Sequence, residues 1–266
     1  MGKLDNKVAI ITGASGGIGR AAAVLFAKEG ASISIASRNV EAGEETVRII
    51  KENGRRATFI RTDVSKVKDV KNMVKTTVDY YSKLDILYNN AAIVHEPAQT
   101  IDITFKDWQY TLATNLTGTW LGMKFAIPEM IRAGGGAIIN TASICALVGV
   151  PNQSAYSATK GGIVSISRTT AVEYASRNIR VNCIALGPVA TPMALKFFGE
   201  EHTRNLADLN PRSQIGRMEE IAEVASREQN QGAVAYRSKE RNSPQSRRTG
   251  TAYFRPNHPP VRTGSH

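Results

Sequence analysis

Residues 7–19 read KVAIITGASGGIG, an apolar run followed at once by a glycine-rich turn. The apolar run predicts a buried strand, and the alanine-rich segment after the turn predicts a helix that ends near Gly30. Glycines let a backbone pass close to a pyrophosphate, whose charge is met by N–H groups and the positive end of the helix. A simple tight turn is the alternative reading, but the strand-to-helix context favours dinucleotide binding.

Apolar runs and helical segments continue to alternate along the 266 residues. This alternation predicts an α/β fold, a Rossmann-like doubly wound parallel sheet in three layers. The predicted strands are residues 7–12, 32–37, 57–62, 85–88, 137–143 and 180–185, and the predicted helices are residues 20–29, 40–53, 66–82, 104–132 and 154–176.

Two of the predicted strand ends carry candidate cofactor ligands. The second strand ends at Ser37 and Arg38, where an NAD enzyme carries a carboxylate for the ribose 2′-hydroxyl. An arginine there pairs with a 2′-phosphate and favours NADP(H), with NAD(H) still possible and a solvated surface arginine as the alternative. Asp63 ends the third strand, where it is suited to a ligand, to capping the next helix, or to both.

Three further side chains predict proton transfer. Ser143 ends a predicted strand, while Tyr156 and Lys160 lie four residues apart, on one face of a helix. A lysine charge about 4 to 5 Å from a phenol is worth roughly 3 to 4 kcal/mol, which would lower the phenol pKa by about 2 to 3. A Tyr-x-x-x-Lys pair also arises by chance, but of the eight tyrosines Tyr156 alone has a lysine at that spacing.

The charge of the chain is concentrated at its end. Residues 227–266 hold eight Lys/Arg and two acids, which is +6 of the net +11. With little apolar periodicity, this segment is predicted to be a basic, disordered tail behind a domain of residues 1–226. An alternative function follows: a non-catalytic dinucleotide-binding remnant, or a polyanion binder acting through the tail.

Other features set the expected environment. The four histidines are scattered singly, which indicates no metal site, and Cys145 and Cys183 are expected to be small core residues in a reducing compartment. The first residues lack an apolar secretion segment, so a cytoplasmic protein without a membrane partner is expected. Residues 194–209 are amphipathic, which suits either a substrate lid or ordinary helix packing.

Taken together, these motifs resemble the short-chain dehydrogenase/reductase family over residues 5 to about 225. Its cofactor motif is similar to the segment of Thr12, Gly13, Gly17 and Gly19, and its sheet-stabilising turn to residues 89–91. The resemblance implies an oxidoreductase that moves a hydride between NADP(H) and a carbonyl or secondary alcohol, with a small-molecule substrate and a homo-oligomeric state.

The resemblance also assigns roles to residues. Tyr156 would be the acid/base, Ser143 would polarise the substrate oxygen, Lys160 would also bind the nicotinamide ribose, and Asn115 would hold a proton-relay water. The implied cofactor-binding residues are Thr12, Gly13, Ser15, Gly17, Ile18, Gly19, Ser37, Arg38, Asp63, Val64, Asn90, Ala91, Tyr156, Lys160, Val189 and Thr191.

The chain departs from the family pattern at two places. Leu186 stands where members usually carry proline. After about residue 226 the pattern of a continued helix and last strand is lost, so the sheet is predicted to lack that strand. A shifted reading frame would produce such an altered end.

Overall fold

The computed structural model of this chain describes residues 2–196, 199 and 214–228. Within them, six strands form one parallel sheet in the order β3-β2-β1-β4-β5-β6. The strands are β1 (Val8–Thr12), β2 (Ser32–Ser37), β3 (Ala57–Arg61), β4 (Ile86–Asn89), β5 (Gly136–Ser143) and β6 (Ile179–Leu186). The predicted Rossmann-like doubly wound fold is confirmed.

Seven α-helices of the described residues connect or flank these strands, and residues 192–196 are also helical. They are α1 (Gly17–Lys28), α2 (Val40–Glu52), α3 (Val67–Tyr81), α4 (Phe105–Thr111), α5 (Gly118–Arg132), α6 (Ser154–Tyr174) and α7 (Met218–Glu228). Helices α4 and α5 are joined without a break by a π-helical segment, Leu112–Thr117. The predicted single helix over residues 104–132 is therefore one continuous helix from residue 105, and its hydrogen-bond register changes at the centre.

The sheet buries both of its faces, as the nearly unbroken apolar strands require. On one face Ile11 and Ile33 pack against α1, α2 and α7, which contribute Phe26, Val47 and Ala225 among others. On the other face Ile10 belongs to the cluster that α3 and α5 complete. The period of two along each strand thus divides the core into two halves with helices on both sides.

The order of the strands creates the place where a ligand can bind. The chain moves outward from β1 through β2 to β3, then returns to the other side of β1 for β4. Open α/β sheets bind ligands at the carboxyl ends of the strands where the winding direction reverses. In this chain that crevice lies between the ends of β1 and β4.

Some predictions concern residues outside the described ranges. The predictions of a missing last strand, an altered end and a disordered tail concern residues 227–266. Only residues 227 and 228 of this segment are described, as the end of α7. The amphipathic lid of residues 194–209 is described only at residues 194–196 and 199. In the described part of the chain, no helix is both long and apolar enough to span a bilayer.

Candidate active site

A large cavity lies over the crevice at the carboxyl edge of the sheet. Its volume is about 1480 Å³, above the range of about 300 to 1,000 Å³ for one small ligand. The excess suits a dinucleotide together with a substrate. Of the residues proposed for cofactor binding, all but two line it: Gly13, Ser15, Gly17, Ile18, Ser37, Arg38, Asp63, Val64, Asn90, Ala91, Tyr156, Lys160, Val189 and Thr191.

The two exceptions, Thr12 and Gly19, contact residues that line the cavity. The Thr12 hydroxyl accepts hydrogen bonds from the backbone N–H groups of Asn90 and Ala91, each at 3.0 Å. The Asn90 side chain donates back to the Thr12 carbonyl at 3.1 Å. A Cβ at Gly19 would lie 2.3 Å from the Gly13 carbonyl oxygen, so only glycine fits there. The hydrogen bonds between Thr12 and residues 90–91 join the end of β1 to the end of β4.

The first turn of α1 is suited to a phosphate. Its N-cap, Gly16, offers no side chain to bond the free N–H groups, and no acidic residue occupies the turn. Gly17 has a φ of 53°, and a Cβ there would have no closer neighbour than Pro192 at 3.8 Å. The positive end of the helix therefore faces open space, and these residues fit a pyrophosphate.

Arg20, which is not among the residues predicted from the sequence, stabilises this turn. Its guanidinium donates to the Ser15 carbonyl at 2.6 Å and the Ala42 carbonyl at 3.0 Å, and its Nε to the Thr46 hydroxyl at 3.0 Å. An arginine directly after the last glycine of the turn, at the start of the alanine-rich run, is the signal that was available. It ties the glycine turn to α2.

The end of the cavity next to β2 and β3 carries both charges that the sequence indicated. Arg38 follows β2 and donates from Nη1 to the Tyr110 hydroxyl at 2.5 Å. Burial raises the pKa of Asp63, but hydrogen bonds from Ser65 and the nearby Arg38 charge outweigh it, so that pKa is lowered. Asp63 accepts the Ser65 N–H at 3.0 Å and its hydroxyl at 2.7 Å, within the turn that leads to α3.

The predicted triad is brought together at the other end. Ser143 lies near enough to Tyr156 to influence the pKa of its phenol, and the Lys160 ammonium lies 5.4 Å from the centre of the Tyr156 ring. Lys160 is 1% exposed and donates to the Thr141 carbonyl at 2.7 Å. Strand β5 supplies Ser143 at its last residue, and the first two turns of α6 supply the other two side chains.

The expected lowering of the Tyr156 pKa is wrong for this structure. Burial raises the pKa of the phenol, with a smaller contribution from Cys145, against the lowering effect of the Ser143 hydrogen bond. Burial also lowers the pKa of Lys160 to about 8. Attraction between the two charges favours a lower phenol pKa, but the cost of removing each charge from water is larger.

Asn115 lies in the π-helical segment behind the triad and does not line the cavity. It is fully buried, and its amide both accepts from the Ile93 N–H at 2.8 Å and donates to the Ile93 carbonyl at 2.9 Å. The same amide nitrogen donates to the Thr159 hydroxyl at 3.3 Å. Asn115 thereby connects the loop after β4 to α6, one residue before Lys160.

Cys145 departs from its expected place. Cys183 is buried as expected, but Cys145 is partly exposed and lines the cavity two residues after Ser143.

The loop after β6 contains the glycine and prolines from which the sequence predicted a turn at this strand end. It is held by a parallel bridge between Val189 and Gly216, in which Gly216 donates to the Pro188 carbonyl at 3.0 Å.

Comparison with known proteins decides the family. The short chain dehydrogenase family matches residues 7–202. The chain belongs to this family. It is therefore an oxidoreductase of the dehydrogenase/reductase kind, as the sequence motifs indicated.

Individual relatives agree with this membership. The chain is 35% identical over 224 residues to a cyclohexanol dehydrogenase of an Acinetobacter species, covering 84% of this chain and 88% of the relative. The crystal structure of levodione reductase superposes with a TM-score of 0.83 at 31% identity, covering 85% of this chain and 91% of the other. Carveol dehydrogenase from Mycobacterium avium, solved in complex with NAD, gives 0.82 at 27% identity and covers 86% and 92%.

Proposed function

We propose that this short-chain dehydrogenase reduces a carbonyl, or oxidises the matching secondary alcohol, with NADP(H) as its preferred cofactor. The observation that carries the proposal is the proximity of Ser143, Tyr156 and Lys160 at one end of a cavity whose other end presents Arg38. A nicotinamide dinucleotide bound in this cavity would supply or accept the hydride.

The chain's own residues account for the proton. In the reducing direction the Tyr156 phenol gives its proton to the substrate oxygen as the hydride arrives at the carbonyl carbon, and the reverse transfer accompanies alcohol oxidation. Burial raises the pKa of the phenol, so Tyr156 is protonated at neutral pH and is suited to act as an acid. Ser143 donates a second hydrogen bond to the substrate oxygen, and the Lys160 ammonium stabilises the phenolate that remains.

Tyr156→Phe tests the catalytic assignment. Loss of the proton donor is expected to lower kcat by about 10²- to 10⁴-fold, because general acid catalysis is worth that much, while the dissociation constant of NADPH changes less than about threefold. Turnover is measured with a panel of ketones and alcohols, and NADPH binding by fluorescence titration. Tyr80→Phe, on the exposed face of α3, is the matched control. Unchanged turnover in the Tyr156 variant would refute the assignment.

The proposed cofactor preference has its own test. Arg38 carries the charge that a 2′-phosphate requires, and its hydrogen bond to Tyr110 holds the guanidinium at the cavity rim. Arg38→Gln is expected to weaken NADP binding by about tenfold or more and to change NAD binding less than about twofold, since a hydrogen-bonded charge pair contributes about 1.5 to 3 kcal/mol. Arg61→Gln, exposed at the end of β3, is the control. Equal losses for both cofactors would contradict the preference.

A further inference from the structure

Tyr110 lies beside Arg38 and has an unused hydrogen-bond donor. Arg38 donates from Nη1 to the Tyr110 hydroxyl oxygen at 2.5 Å. A phenol hydroxyl both accepts and donates, so this contact occupies its oxygen and leaves its O–H group available. Among the described residues, none accepts a hydrogen bond from that O–H group. Tyr110 is 44% exposed, which leaves it accessible to a ligand.

Arg38 also keeps donors for a ligand. Its guanidinium has several N–H groups, and Tyr110 is the one acceptor that it bonds within the described part of the chain. Asp63 is near enough for the Arg38 charge to lower the pKa of its carboxyl group, but that carboxylate accepts its hydrogen bonds from Ser65. The remaining N–H groups of Arg38, which lines the cavity, are therefore available there.

The helix that carries Tyr110 runs along the cavity next to β2 and β3. Thr114, further along the same continuous helix, lines the cavity. A Cβ at Gly118 would lie 2.9 Å from the side chain of Val64, which follows β3 and also lines the cavity. The Tyr110 hydroxyl and the Arg38 guanidinium thus come from separate elements, one from α4 and one from the end of β2, that meet at the cavity rim.

This pair of donors suits an anion with several oxygens. A phosphate monoester presents several strong acceptor oxygens, so one can accept from the Arg38 guanidinium while another accepts from the Tyr110 O–H group. The ribose hydroxyl that replaces this phosphate in NAD is neutral and has one oxygen. It gains less from the same two donors, so the pair discriminates between the two cofactors.

We propose that Tyr110 binds the 2′-phosphate of NADP(H) directly, as a second ligand beside Arg38. This inference rests on the proposed preference for NADP(H) and adds a specificity-determining residue to it. Tyr110 contacts the end of the cofactor that does not react, so it affects the choice of cofactor and takes no part in the proton transfer.

Tyr110→Phe in the full-length chain tests the proposal, because it removes the hydroxyl and keeps the ring. The dissociation constants of NADPH and NADH are measured by fluorescence titration. NADPH binding is expected to weaken at least about fivefold, since a hydrogen bond to a charged group is lost, while NADH binding stays within about twofold.

The same substitution in the Arg38→Gln chain separates direct binding from an effect through Arg38. If the hydroxyl donates to the phosphate itself, Tyr110→Phe weakens NADPH binding at least about threefold further in that chain. No further loss there would show that Tyr110 only holds Arg38 in place, and it would overturn the inference.

Tyr80→Phe, exposed on α3, is the matched control and is expected to change neither dissociation constant. Binding of NADH establishes that the Tyr110 variant is folded, and Tyr110→Leu takes its place if the phenylalanine variant does not bind NADH. NADPH binding within about twofold of the wild-type value in the Tyr110 variant would overturn the inference alone. Equal affinity of the wild-type chain for NADPH and NADH would overturn the proposed cofactor preference, and the inference with it.

Discussion

Lys160 illustrates at the scale of one residue how the site sets function against stability. Its ammonium is 1% exposed, and burial lowers its pKa from 10.5 to about 8. The charged form is therefore less stable in the folded chain than in the unfolded one. Above the unfolded pKa of 10.5 the lysine is neutral in both states and costs the fold nothing. As pH falls from about 10.5 through about 8, the unfolded chain takes up the proton first, so the free energy of unfolding decreases.

Lys160→Met is accordingly expected to stabilise the protein at pH 7 while it abolishes most turnover. Removing the buried charge gains up to about 3 kcal/mol, and losing the bond to the Thr141 carbonyl costs about 1, which leaves a rise of about 2 kcal/mol in the free energy of unfolding. The difference from wild type should shrink towards pH 10.5. Urea denaturation at pH 7 and at pH 10 measures it, with the exposed Lys71→Met as control. An equal or lower stability at pH 7 would show that the buried charge carries no such cost.

At the scale of elements, the π-helical segment Leu112–Thr117 is the feature that joins the loop after β4 to the catalytic helix. The extra residue in this turn changes the direction of the following side chains, and such bulges are frequent at functional sites. Asn115 uses its position there to bond both backbone groups of Ile93. Asn115 thus lies fully buried where the hydrogen-bond register of the helix changes, and its amide bonds the loop after β4.

Asn115→Ala should loosen the loop that Ile93 begins. The Ile93 N–H then loses its acceptor, so its hydrogen exchange is expected to accelerate at least tenfold, and the free energy of unfolding should fall by about 2 to 3 kcal/mol. Amide exchange followed by mass spectrometry or NMR provides the measurement. Asn72→Ala, exposed on α3, serves as the matched substitution. Unaltered exchange at Ile93 would mean that the loop does not depend on Asn115.

At the scale of the whole molecule, a buried chain of polar side chains ties the sheet to its helices. Asn89 of β4 donates to the Asn140 side-chain oxygen at 2.9 Å, and Asn140 of β5 donates to the Ser167 hydroxyl of α6 at 2.8 Å. Asn89 also reaches the Thr119 carbonyl of α5 at 3.4 Å. Two strands and two helices therefore share one network behind the active site.

Asn140→Leu tests how much the molecule depends on this network. The substitution leaves the Asn89 amide without its best acceptor and removes the donor to Ser167, so the free energy of unfolding is expected to fall by about 2 to 4 kcal/mol. Chemical denaturation detects the change, and Asn72→Leu on the protein surface is the comparison. A fall below about 0.5 kcal/mol would indicate that the neighbouring groups find other partners.

The fold was largely predictable because its signals are local. The apolar run before Gly13 and the alanine-rich run after Gly19 predicted β1 and α1 within about three residues, and the bounds of β2 were predicted without error. Strand β6 extends one residue beyond the prediction at each end, because pairing with β5 continues to Ser143. Hydrophobic periodicity determines which residues face the core, but the partner strand decides where the pairing stops.

The sequence by itself determined the order of strands and helices, the glycine turn and the Tyr–Lys spacing, because each depends on residues close together along the chain. The tertiary structure alone decided the pKa values of Tyr156 and Lys160, the anchoring of Asn115 to Ile93 and the hydrogen bond of Arg38 to Tyr110. Those properties depend on how much water and which distant groups surround a side chain. Neither quantity is encoded in the spacing of residues, since both arise when separate segments pack together.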